Sequence, residues 1–147
     1  MTKKRSMKIS SVILVVGLLS STALFLLNLK AGERSGIEDA VKNDYVTHGI
    51  SFVKVANDLI LKARNSKENI HYSKLDYDKN DNNLNLVFSL GYHAIHSANG
   101  NEIYFIRDSY FGFFHGLVYS SNGLPPSSQY LTELVHLSDH WYLFKMK

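Results

Sequence analysis

Seven histidines, His48, His71, His93, His96, His115, His136 and His140, are the side chains of this chain best suited to chemistry. Neutral imidazole ligates zinc, and its charge changes near physiological pH. His93-Ala-Ile-His96 and His136-Leu-Ser-Asp-His140 have spacings that metal sites use. Residues three apart on a strand project from opposite faces, so His93 and His96 converge only across a bend, and no metal or other cofactor is expected. His48 falls on the apolar face of a predicted helix and reads as a half-buried, hydrogen-bonded residue. Proton sensing is the larger role: His115 lies among Phe113, Phe114 and Leu117, and His136 between Val135 and Leu137. Apolar surroundings alter the proton affinity of a histidine, and a tenfold change in that affinity is worth about 1.4 kcal/mol.

Asp76, Asp78, Asn80 and Asp81 form a second polar cluster in DYDKNDNN. A calcium loop needs glycine at its sixth position and a carboxylate at its twelfth, where this chain has Asp81 and Val87. The segment therefore reads as a hydrated turn. Tyr104 to Tyr119 holds seven aromatic residues together with Gly112 and Gly116. Most of such a run is sheet core, but adjacent strand positions diverge, so Phe111, Phe113 and Phe114 cannot share one inner face. Exposed aromatic surface marks partner interfaces, which makes Tyr110, Phe111, Phe113 and Phe114 the candidate partner-binding residues. The two glycines are expected to permit a bulge or a close backbone approach.

No nucleophile elbow, zinc-protease helix, phosphate-cradling loop or dinucleotide fingerprint is present, and the expectation is a protein that is not an enzyme. Asp139 and His140 are neighbours whose side chains diverge on a strand, so adjacency alone makes no dyad. The absence of cysteine removes disulfides, thiol chemistry and a lipid-modified cysteine. The net charge of +3 is also misleading as a sign of nucleic-acid binding. Lys3, Lys4, Arg5 and Lys8 precede an apolar run, whereas from Lys30 onward twelve basic residues face thirteen acidic ones. A nearly neutral domain has no basic face for phosphates, and no nucleic-acid partner is expected.

The apolar run, Ile9 to Leu29, has twenty-one residues without a charge. At about 1.5 Å per residue it reaches roughly 31 Å, the thickness of a bilayer core, and reads as a transmembrane signal-anchor helix. The rival is a cleaved signal peptide with Ser21-Thr22-Ala23 as its small-residue site, but Leu24 to Leu29 continues apolar past it. The basic flank, residues 1–8, keeps the amino terminus cytoplasmic and sends the rest across. Residues 30–36 form a linker, and 37–147 an extracytoplasmic domain.

Within that domain Ser35-Gly-Ile-Glu38 matches a capping box, and apolar residues from Ile37 to Ala63 recur near the 3.6 period. The pattern predicts an amphipathic helix, bent or broken at His48-Gly49. From Ile70 the period turns to two. Ile70 to Tyr77 and Leu84 to Leu90 read as one hairpin, and Tyr92 to Ser97 and Glu102 to Arg107 as a second around Asn99-Gly100. Phe113 to Tyr119 forms a further strand, and Glu133 to Leu137 with Trp141 to Lys145 a last hairpin. The fold class is α+β: a transmembrane helix, then one amphipathic helix packed on an antiparallel sheet of about six strands.

This order of elements resembles type IV pilins in outline. The processing site of that family is absent, because the span begins Met7-Lys8-Ile9-Ser10 and contains no Glu, and the family is set aside. The expectation is a single-pass inner-membrane protein whose periplasmic domain binds another membrane or envelope protein, by strand addition, as an accessory or stabilising subunit of a sensor, regulator or envelope complex. The alternative is a histidine-based environmental sensor of pH or metal.

Overall fold

A computed structural model describes residues 36–110 and 112–147, with residues 108–110 as backbone. The first helix, α1, runs from residue 36 to 66, followed by β1 (His71–Ser73), α2 (Asn82–Ser89), β2 (Ala94–Ala98), β3 (Glu102–Tyr110), β4 (Phe113–Ser120), β5 (Leu131–Ser138) and β6 (Trp141–Met146). The six strands form one antiparallel sheet in the order β1-β2-β3-β4-β6-β5, so the chain is α+β. Among the described residues no helix is long and apolar enough to cross a membrane; Ile9 to Leu29, and Ser35 of the capping box, lie outside them.

Helix α1 is continuous through His48-Gly49, contrary to the expected bend. Glycine weakens a helix by entropy alone when nothing interrupts its hydrogen bonds, and the nearest atom to a Cβ at Gly49 would be Tyr45 Cε2 at 3.8 Å. The β-branched stretch Ile50 to Val55 stays helical because Phe52, Val55, Ala56, Leu59, Ile60 and Ala63 continue the buried stripe begun by Val41. Lys67, at φ 59°, closes the helix through its N–H to the Ala63 carbonyl, 2.9 Å away.

The buried face of α1 packs on Ile95, Ile103, Phe105, Leu117, Trp141 and Leu143 of the sheet. Phe52 is the centre of this layer, edge-on to Tyr92, Phe105 and Trp141 at ring-centroid distances of 5.3, 5.2 and 6.3 Å. Truncating such a ring costs about 3–5 kcal/mol. At the far end of the helix, Arg64 bonds the Gly100 carbonyl, Asn101 Oδ1 and Ser121 Oγ. The β2–β3 turn beneath it has Asn99 at φ 53° and Gly100 at φ 64°, the positive values that this dipeptide tolerates.

The strand expected over Leu84 to Leu90 is instead the helix α2. Leu84, Leu86, Phe88 and Leu90 alternate, but Leu84, Val87 and Phe88 are the buried residues, at i, i+3 and i+4. Asp81 caps this helix by accepting from the Asn83 and Leu84 N–H groups. Asp81 and Val87 are thus cap and core, and the polar run is a turn and a helix start. With the first hairpin gone, β1 finds its partner beyond α2, on β2.

The sheet's second face carries a smaller core of Tyr104, Val118, Tyr142 and Phe144. Because β6 lies between β4 and β5, the connection over residues 121–130 returns along this face. It is held by Ser127 N–H to Glu102 Oε1 at 3.4 Å, while Tyr104 donates to Glu102 Oε2 at 2.7 Å.

Candidate functional site

The histidines separate by what holds them. His93 precedes β2 and His96 lies within it, and the two rings have separate neighbours. The Nδ1 of His93 sits 3.0 Å from the Arg107 carbonyl oxygen, and that of His140 2.8 Å from the Ser120 carbonyl oxygen, so both rings are tied to backbone. His136 is exposed on β5 with its ring 5.0 Å from that of Tyr142. His136 and His140 therefore do not converge, and Asp139 makes no dyad with a ring turned to Ser120. His48 is half-buried on α1.

His115 is buried on the helix side of β4, in register with Lys145 of β6, which is in register with Glu133 of β5. Lys145 Nζ lies 3.6 Å from Glu133 Oε1 and 4.6 Å from the centroid of the Phe113 ring. Ile37, Glu38 and Val41 from the start of α1 close over this row and leave a cavity of about 20 Å³, enough for a water molecule but not for an organic ligand.

The candidate partner-binding residues occupy the β3–β4 turn. Tyr110 pairs with Phe113 across it, Gly112 takes φ 77°, and Phe111 lies outside the described residues. Phe113 is half-buried against Lys145, whereas Phe114 projects to the other face opposite Met146 and is 37% exposed. Further apolar exposure lies elsewhere: Val46 and Ile50, one turn apart on α1, and Val135 on the sheet-edge strand β5.

Two arrangements escaped the sequence. Between Ile106 and Asp108 the β3–β4 register shifts, and the extra residue, Arg107, pairs with Asp44 of α1. Arg107 also lies 5.7 Å from the centroid of the Tyr92 ring, whose buried hydroxyl has no hydrogen-bond partner within bonding geometry among the described residues. Burial, reinforced by the nearby Asp44 carboxylate, pushes the Tyr92 pKa up. This cluster pins helix to sheet. The second arrangement is His71 opposite His96 across β1 and β2, with ring centroids 6.0 Å apart. Burial first, and His71 second, hold the His96 pKa below its ordinary value. Its only sequence signal was the N-cap at Asp81, which turns α2 into a helix and frees β1 to pair with β2.

Among the described residues no three His, Asp or Glu side chains form a metal-ligand group. No family model, no curated protein and no solved structure matches the chain.

Proposed function

We propose that this chain is a single-pass membrane protein, anchored through Ile9 to Leu29, whose extracytoplasmic domain binds another membrane or envelope protein as an accessory or stabilising subunit. The observation that carries this reading is the edge strand β5, eight residues long and, among the described residues, paired on one side only, with β6. Bulges at Leu131/Glu133 and His136/Ser138 bracket a regular stretch in which Val135 is 49% exposed. Unpaired backbone groups beside an exposed β-branched side chain suit strand addition by a partner. Val46 and Ile50 on α1 and Phe114 beside the β3–β4 turn are further exposed apolar side chains available for contact.

The test is photo-crosslinking in native membranes from a reactive residue placed at Val135 or Thr132. A discrete adduct with one other envelope protein, lost when β5 carries Val135→Asp with the probe at Thr132, is the expected result. Adducts of the protein with itself alone would refute the accessory-subunit reading.

A histidine-based environmental sensor is the second reading, and the His71–His96 contact favours that pair over His115 and His136. Imidazole changes charge in the pH range an extracytoplasmic domain meets, and two imidazolium charges on neighbouring strands repel.

A further inference from the structure

The paired imidazoles of β1 and β2 can do more than take up protons. We infer that His71 and His96 form a binding site for one divalent late-transition cation of the zinc class. The inference is independent of the protein-contact reading, which survives its failure, and it would give the sensor reading a ligand.

His71 and His96 are direct cross-strand partners, so their Cβ atoms are about 4.5–5.5 Å apart and point to the same side of the sheet. With ring centroids 6.0 Å apart, rotation about the Cα–Cβ and Cβ–Cγ bonds can aim one nitrogen of each ring at a common point between them. Zinc–nitrogen bonds of about 2.0–2.1 Å in a tetrahedral site require the two nitrogens to be roughly 3.3 Å apart, a bite this pair can reach. Water completes the coordination on the open side, since His71 is exposed on the edge strand.

The chemistry of the ring nitrogens separates this pair from His93 and His140. Those two commit Nδ1 to backbone carbonyls, whereas the ring nitrogens of His71 and His96 hydrogen-bond to no described residue. The side chains facing His96 on adjoining strands are His71 from β1 and Tyr104 from β3, and the Tyr104 hydroxyl is spent on Glu102. An all-imidazole pair without a carboxylate selects zinc, copper or nickel over calcium and magnesium. A bound cation would also clamp β1, which holds the sheet through three residue pairs.

Zinc chloride titrated calorimetrically into the full chain in detergent micelles near neutral pH tests the site. One zinc per chain is expected, with affinity reduced at least about tenfold in His71→Gln and in His96→Gln and unchanged in His136→Gln. Histidine ring nitrogen resonances of two residues, and no others, should move on titration. If His96→Gln does not fold, His71→Gln decides, because that side chain is exposed and its loss leaves the core intact. Absence of binding at millimolar zinc, wild-type affinity in His71→Gln, or loss of binding in His136→Gln would overturn the inference.

Discussion

Two glycines should respond to alanine in opposite directions, and the difference can be worked from their surroundings. At Gly116 a Cβ would fall 1.8 Å from the Phe105 carbonyl oxygen, 3.0 Å from its carbon and 3.2 Å from Phe144 Cε1. The oxygen belongs to the paired strand β3, one residue before the β3–β4 register shift begins. It would have to retreat from 1.8 Å to at least 3.4 Å, and backbone cannot rotate away as a side-chain end can. Overpacking of this kind costs about 1–3 kcal/mol, and each ladder hydrogen bond lost beside it about 1 kcal/mol more. With one such bond lost the expected total is about 2–4 kcal/mol, which at roughly 4 °C per kcal/mol lowers the melting temperature by about 8–16 °C. Gly49→Ala is the control. Its Cβ would meet only Tyr45 Cε2 at 3.8 Å inside a continuous helix, so it should raise stability by roughly 0.5–1 kcal/mol. Thermal unfolding followed by circular dichroism reads both. A Gly116→Ala melt within about 2 °C of wild type, or a Gly49→Ala melt below it, would refute this account of the bulge and of the helix.

The remaining predictions concern polar groups under or beside the sheet. Tyr92→Phe removes a buried hydroxyl that has no partner among the described residues and should raise stability by about 1 kcal/mol in urea denaturation. Asp44→Ala, which leaves the Arg107 charge without its counterion, should lower it by about 3 kcal/mol; equal losses in the two variants would make the hydroxyl a bonded member of the cluster. For pH, the folded-state pKa of His96 lies below its ordinary value of 6.5, so the unfolded chain binds the proton more readily. Stability is therefore greatest above the unfolded value and declines as pH falls through it toward the folded one. Urea midpoints measured between about pH 5 and 7.5 should fall less steeply with acid in His96→Gln than in wild type; equal slopes would remove His96 from the response, and flattening by His115→Gln or His136→Gln would assign it to those residues.

What could be read along the chain was whatever neighbours in sequence decide. The charge distribution, the lack of cysteine, the uncharged run from Ile9 to Leu29, the amphipathic stripe of α1 and the Asn99-Gly100 turn all depend on spacings of a few residues. The α+β class followed from them, and the strand stretches named along the chain come down to six because one of them is helical. Leu84 to Leu90 marks where local information ran out, because it satisfies both a period of two and a period of 3.6. Burial of Leu84, Val87 and Phe88 against the main core, together with the Asp81 cap, selects the helix. The important polar contacts lie beyond any local rule. Arg107 meets Asp44 across 63 positions because a bulge re-aims one residue of β3. His71 meets His96 because α2 occupies the interval and leaves β1 to pair with β2. Local chemistry set which elements could form; the competition among their apolar faces for one shared core decided which strands became neighbours, and so which histidines touch.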